Sequence, residues 1–198
     1  MSKLLGDVKR GLVFIVSAPA GTGKTTLVHM LTHEFPSVVQ SISCTTRPPR
    51  PMEKEGVDYY FLAQEEFQKK IASGDFLEYA EVFDHFYGTP KAHVEELRAS
   101  GKHVILVIDT QGAMQLKNKI DAVHIFISPP DFHELEKRLE GRESDSEQEI
   151  QTRLSWAHDE MEAAKQYDYV VVNDTLETAY QVLRSILIAE EHRVRGNR

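Results

Sequence analysis

The sequence predicts an α/β protein, a parallel β-sheet core flanked by helices, and three observations carry that prediction. Apolar runs of strand length recur at Leu12–Val16, Val104–Ile108, Val123–Ile127 and Tyr169–Val172. Runs of that kind belong to strands buried on both faces. Segments with helical apolar spacing lie between them, and alternating strands and helices imply a parallel sheet with right-handed crossovers. Finally, the first run passes through a small-residue loop directly into a helix opened by Lys24 and Thr25.

That loop has the P-loop pattern. Ala18, Pro19, Ala20, Gly21, Thr22, Gly23, Lys24, Thr25 and Thr26 join the strand to a helix on which Leu27, Met30 and Leu31 share a face. Glycines let successive backbone N–H groups turn inward around an anion, and the helix adds the positive end of its dipole. Lys24 supplies a mobile charge for the β/γ-phosphates and Thr25 a hydroxyl for Mg²⁺. The usual pattern opens on glycine, where this chain has Ala18. Alanine fits that turn only with a negative φ. The stretch predicts a site for nucleotide phosphates on a fold of the P-loop NTPase type, and it is silent about what receives the phosphate.

Composition sets the bounds. The 198 residues suffice for one α/β domain with inserted pieces. A formal net charge of -8 argues against sequence-independent nucleic-acid binding. Cys44 is the only cysteine, which excludes an intrachain disulfide and fits a reducing compartment. No secretory signal is visible in residues 1–10, and no apolar run approaches a membrane span. A cytoplasmic protein without membrane or nucleic-acid partners is expected. The nine histidines show no transition-metal spacing.

In chain order, Phe35-Pro36 stops the first helix, and Val38–Ser43 reads as a second strand. Residues 45–51 hold three prolines and form a loop. Val57–Phe61 reads as a short strand, Glu65–Ser73 as a helix stopped by Gly74, and Phe76–Phe83 as another strand. His85–Pro90 reads as a turn into a helix that begins near Pro90. Residues 43–89 are thus an insertion of mixed strand and helix. The core resumes at Val104–Ile108, followed by a short helix near 111–118 and the strand Val123–Ile127. A helix with Phe132, Leu135 and Leu139 on one face runs into the polar stretch 140–146, and a charged helix, roughly 147–164, returns. The last strand is Tyr169–Val172, and Leu176, Ala179, Tyr180, Leu183, Ile186 and Leu187 stripe the last helix.

Several short patterns occur in one order: the loop, Ser-x-Thr-Thr-Arg-x-x-Arg at 43–50, Gly-x-Asp-Tyr at 56–59, Phe-x-Glu at 76–78, Tyr-Gly-Thr at 87–89, Asp109 with Gln111-Gly112, Arg138 and Arg142 with Arg153, and Asn173-Asp174. Together they resemble the guanylate kinase family over about residues 11–190. The resemblance implies transfer of the γ-phosphoryl of ATP to GMP, with Mg²⁺ as cofactor and dGMP as a further acceptor. It implies one domain, 11–198, with a core (11–42, 90–136 and 156–192), a GMP-binding insertion (43–89) and a helical lid (137–155).

For the acceptor, Arg47 and Arg50 lie three apart on the proline-rich loop and can offer a phosphate forked donors. Tyr59 and Tyr87 resemble the family's phosphate-binding tyrosines. Glu78 resembles its guanine-binding glutamate, whose carboxylate accepts from guanine N1–H and N2–H₂, and Ser43 and Thr89 resemble the hydroxyl partners. Adenine would present a lone pair to Glu78 and leave buried polar groups unpaired.

For the donor, the resemblance implies that Arg138, Arg142 and Arg153 line the cleft and stabilise the transferring group, and that Asn173 touches the adenine side. Asp109 is assigned to the active-site end, near Lys24 and the metal's water shell or the acceptor GMP, as a catalytic and GMP-binding residue. The chain departs from the family at Val107, where an acid is common, and at Glu143, where glycine often follows the second arginine. Two other readings start from the same residues: a guanylate-kinase-like binding module without catalysis, and a P-loop kinase with another acceptor.

Overall fold

The computed structural model describes residues 4–194 other than 7, 83 and 142–146. In chain order, β1 (Val13–Ser17) leads through the loop into α1 (Lys24–Glu34) and β2 (Val38–Gln40). There follow β3 (Ser43–Thr45), β4 (Tyr59–Phe61), α2 (Gln64–Ser73), β5 (Phe76–Val82) and β6 (His85–Pro90). Next come α3 (Lys91–Ala99), β7 (His103–Val107), α4 (Thr110–Leu116), β8 (Ala122–Ser128) and α5 (Phe132–Glu140). The last elements are α6 (Glu147–Ala163), a short 3₁₀ turn, β9 (Tyr169–Val172) and α7 (Leu176–Glu191).

β1 is buried at every position, as its unbroken apolar run requires. Its side chains alternate between two cores. Phe14 and Val16 pack with Leu27 and Leu31 of α1 and Leu183 and Leu187 of α7. Val13 and Ile15 pack on the opposite face with Val94 of α3 and Ala113 and Leu116 of α4. Five strands form this parallel sheet in the order β2-β7-β1-β8-β9. Because β1 has β7 on one side and β8 on the other, the chain leaves it in both directions. Such a switch point opens a crevice beyond the carboxyl ends of the strands, where Ala18 and Asp109 emerge.

The second sheet is mixed, in the order β4-β3-β6-β5, with β3 and β4 parallel and the other pairs antiparallel. Phe67 of α2 is fully buried and stacks on Phe76 and Phe86, with ring centroids 4.6 and 5.6 Å apart. A side chain at Gly88 would press within 3.0 Å of Phe67 and Phe76, so the glycine lies where the aromatic layer meets the sheet. Gly74 ends α2 with φ of +71°, a conformation that favours glycine.

Two local expectations are corrected. The strand expected over Val38–Ser43 is two strands in different sheets: β2 pairs with β7 in the core, whereas β3 pairs with β4 and β6. The Ser41 N–H still bonds to the Ile105 carbonyl at 2.9 Å, and beyond it the chain crosses to the second sheet. The stretch His85–Pro90, expected as a turn, is β6. Gly88 and Pro90 suggest a turn by composition, yet here they mark a close aromatic contact and the cap of α3. The tight turn falls just before β6, where Asp84 has φ of +62°.

α5 and α6 pack on each other through Leu135, Leu139, Leu154 and Ala157, with Ala20 of the loop against the same cluster. The polar segment 142–146 expected between them, which contains Arg142 and Glu143, lies outside the described residues.

Candidate active site

The loop after β1 takes its shape from two glycines and a buried brace. Gly21 and Gly23 have φ of +87° and +85°. Ala18 is not among the left-handed residues, so the alanine fits without strain. The buried Thr22 hydroxyl donates to the Pro19 carbonyl at 2.9 Å. Asn173, at the end of β9, donates its side-chain N–H to the Thr22 carbonyl at 2.7 Å, and Arg138 Nη1 donates to the Asn173 carbonyl at 3.1 Å. Asn173 and Arg138 therefore hold the loop from behind in this state, and the Asn173 amide is engaged with backbone. Asn173→Ala leaves a buried carbonyl without its donor. We expect a loss of about 1–3 kcal/mol in urea unfolding and a larger rise in KM for ATP than for GMP.

α1 follows Gly23 as its N-cap, with no side-chain cap and no acid in its first turn. Its first N–H groups, with exposed Thr25 and Thr26 beside them, are thus available to an anion. Lys24 Nζ donates to the Ala18 carbonyl at 3.1 Å, and its charge acts on Asp109 and Glu160.

A cavity of about 390 Å³ opens in front of the loop. Its walls are Ala18, Ala20 and Lys24, the Asp109–Gln111 start of α4, Val82, and the α6 face of Arg153, Trp156 and Glu160. Asp109 does two things. Oδ1 accepts from Gly112 N–H at 2.7 Å and caps α4, whereas buried Oδ2 has no hydrogen-bond partner among the described residues. Burial raises the Asp109 pKa against the opposing effects of Gly112 and Lys24. Glu160 is pushed up to about 7, first by burial, with Asp109 adding to the shift and Lys24 opposing it. Val107 packs against the core on the α1 side.

Glu78 of β5 is 4% exposed, and its Oε1 accepts from the Thr89 hydroxyl at 2.5 Å. Burial, reinforced by the charge of Asp109 and opposed by Thr89, lifts its carboxyl to about 7. A Cβ at Gly112 would stand 2.4 Å from Glu78 Oε2, so the glycine lets the carboxylate approach α4. Ser43 is half-buried opposite Tyr59 in the β3–β4 register. The Tyr59 and Tyr87 rings meet edge to face at 5.9 Å. Arg47 Nε donates to the Tyr87 hydroxyl at 3.2 Å, and its guanidinium lies 5.5 Å from the Tyr59 ring centroid. The Arg50 side chain is largely exposed. Cys44 is buried, and burial pushes its thiol up to about 11, which keeps it protonated.

The structure thus gathers Lys24, Asp109 and Arg153 at one cavity, and Arg47, Tyr59 and Tyr87 into one cluster. Glu78 and Thr89 meet beside Asp109. Glu53, Trp156 and Glu160 are absent from the sequence expectation. Arg153, Trp156 and Glu160 stand at i, i+3 and i+7, a helical face the sequence already carries.

An anion-cradling loop at the switch point of a parallel sheet, with paired arginines on a loop leaving a second sheet, is the build of a P-loop phosphotransferase. A family model described as guanylate kinase matches residues 10–190. The chain is 57% identical over 189 residues to the guanylate kinase of Protochlamydia amoebophila (strain UWE25), covering 96% of each chain. It is 52% identical to the guanylate kinase of Chlamydia felis (strain Fe/C-56), over 91% of this chain and 89% of that one. Among solved structures, a guanylate kinase from Anaplasma phagocytophilum superposes with a TM-score of 0.77 at 34% identity, covering 97% of this chain and 91% of that one. The chain belongs to the guanylate kinase family.

Proposed function

We propose that the chain moves the γ-phosphoryl group of ATP onto GMP, giving ADP and GDP for purine nucleotide metabolism, in the cytoplasm. The observation that carries this reading is Glu78, a buried carboxylate on the second sheet beside Asp109, whose own charge responds to Lys24. The acceptor base and the donor phosphates would then meet at one cavity.

Residues 18–26 hold the ATP phosphates. Lys24 spans the β- and γ-phosphates and follows the charge as it moves. Arg153, with Arg138 and Arg142, stabilises the equatorial oxygens in transfer. On the acceptor side, Arg47, Arg50, Tyr59 and Tyr87 hold the GMP phosphate, and Glu78, Ser43 and Thr89 read the guanine edge, with Asp109 between the two groups. The segments 43–89 and 137–155 act as the GMP-binding part and the lid over a core made by the remainder.

The residues fit Mg²⁺ through oxygen alone: the Thr25 hydroxyl at the start of α1 would hold it with phosphates and waters, and Asp109, whose Oδ2 has no hydrogen-bond partner among the described residues, would face its water shell. No group of three or more His, Cys, Asp or Glu side chains that could hold a metal exists among the described residues, so phosphates and water would complete the shell. When bound, the ion neutralises phosphate charge. Phosphoryl transfer leaves the protein mainly positioning and electrostatics, which these residues supply.

The test is ADP release, coupled to a reporter, with GMP, dGMP, AMP, UMP and CMP as acceptors. Turnover is expected with GMP and dGMP and close to background with the rest. Absence of GMP-dependent turnover would sink the proposal.

A further inference from the structure

The loop after β3 carries a residue that the site described so far leaves without a task. Both carboxylate oxygens of Glu53 accept from Arg47 Nη2, at 2.7 and 2.9 Å. Oε2 also accepts from the Arg50 backbone N–H at 2.8 Å, and the Arg50 guanidinium stands 4.0 Å from Oε1. The Glu53 N–H in turn donates to the Arg50 carbonyl at 3.0 Å and closes the turn. The pair is well covered, with side chains 12% and 16% exposed for Arg47 and Glu53, in contrast to 63% for Arg50. Arg47 is fixed at its other nitrogens too: Nε on the Tyr87 hydroxyl and Nη1 on the Pro48 carbonyl at 2.8 Å.

We infer that Glu53 is a positioning residue for the acceptor phosphate, holding Arg47 and the Arg50 turn in the geometry that the phosphate group of GMP meets; this rests on the proposed GMP site.

Two physical points favour this role. An arginine side chain loses considerable rotamer freedom when it is fixed on a ligand, and a partner that fixes it beforehand removes that loss from binding. Nε of Arg47 also donates to Tyr87, so the Tyr87 hydroxyl accepts from the arginine and keeps its own proton for a further acceptor. A phosphate oxygen at the tyrosines would complete that chain. Burial on its own would raise the Glu53 carboxyl. The hydrogen bonds from Arg47 and the Arg50 amide outweigh it and hold the group below its usual range, so the clamp stays charged at neutral pH.

The alternative is that Glu53 merely occupies Arg47 until phosphate displaces it. The two roles predict opposite signs. Glu53→Gln removes a negative charge near a dianionic ligand, which alone would tighten GMP binding. The positioning role instead predicts a KM for GMP raised roughly tenfold, with kcat and the KM for ATP within about twofold. Guanosine has the base but no phosphate, so its inhibition constant against GMP is expected to stay the same. An unchanged or lowered KM for GMP would overturn the inference, as would an equal weakening of guanosine and GMP, which would mark general damage to the second sheet. Wild-type turnover with GMP, measured in the same series, separates failure of the clamp from failure of the proposed function.

Discussion

Lys24→Ala is expected to lower kcat for GMP phosphorylation by about 10³-fold, or about 4 kcal/mol of transition-state stabilisation, while the dissociation constant for GMP stays within about twofold. The size follows from where the charge moves. In the transferring state negative charge spreads over the phosphoryl oxygens, and a preorganised cation in a partly covered cavity acts on it with little screening. Lys24 is preorganised by its own loop, with Nζ on the Ala18 carbonyl at 3.1 Å. It also lowers the pKa of both Asp109 and Glu160, so its loss leaves two cavity carboxyls with more tendency to stay protonated. GMP binding is spared because the groups assigned to it, Asp109 apart, lie on the second sheet and the loop after β3 and not on α1. Single-turnover kinetics with both nucleotides saturating, together with equilibrium GMP binding, separate the two quantities. A variant with near-normal kcat would remove Lys24 from the transfer step, and a variant that lost GMP affinity equally would point to a collapsed loop.

The parts of this arrangement differ in how openly the sequence carries them. β1, β7 and β8 are legible because each is buried in the interior of the central sheet, the setting a short continuous apolar run suits, whereas β9 has the same kind of run but lies at the sheet edge and leaves Val170 and Val172 exposed. The loop is legible because its chemistry is local: glycines at the two left-handed positions, then lysine and threonine opening a helix. β3 and β6 are harder. β3 has three residues and depends on pairing across forty or so positions, as between Thr45 and Tyr87, whereas β6 pairs with the adjacent β5 as well but is interrupted by Gly88 and Pro90. Asn173 shows a further limit. Its type and place at a strand end suggest a ligand contact, yet the described side chain reaches back to the Thr22 carbonyl, a contact 151 positions away in sequence. Glu53 stands three residues beyond Arg50, a spacing that signals nothing until the turn closes and Arg47 folds onto it.

The second large effect is on pH. The affinity for GMP, measured without ATP, is expected to weaken about tenfold as pH falls from about 8 to about 6. Glu78 is the cause. Burial, with Asp109 adding to it and Thr89 opposing it, puts its pKa at about 7 in the free protein. Guanine offers two donors, so only the carboxylate form can accept both. Below the pKa the carboxylic acid presents a proton to the N1–H, and binding must first release it. Apparent affinity therefore falls by one decade per pH unit well below 7 and levels off above it. Glu160 also titrates near 7, but it stands at the α6 wall of the cavity, so its protonation is read in kcat with ATP present. The phosphate of GMP titrates nearby too, with a second pKa of about 6. Glu78→Gln isolates that contribution: it keeps one acceptor, cannot titrate, and is expected to bind GMP about 10²-fold more weakly at pH 8 with a much flatter profile. If Glu78→Gln binds GMP as tightly as the wild type at about pH 8, or keeps the full slope, Glu78 does not read the guanine edge, and the buried carboxylate beside Asp109 serves some different purpose.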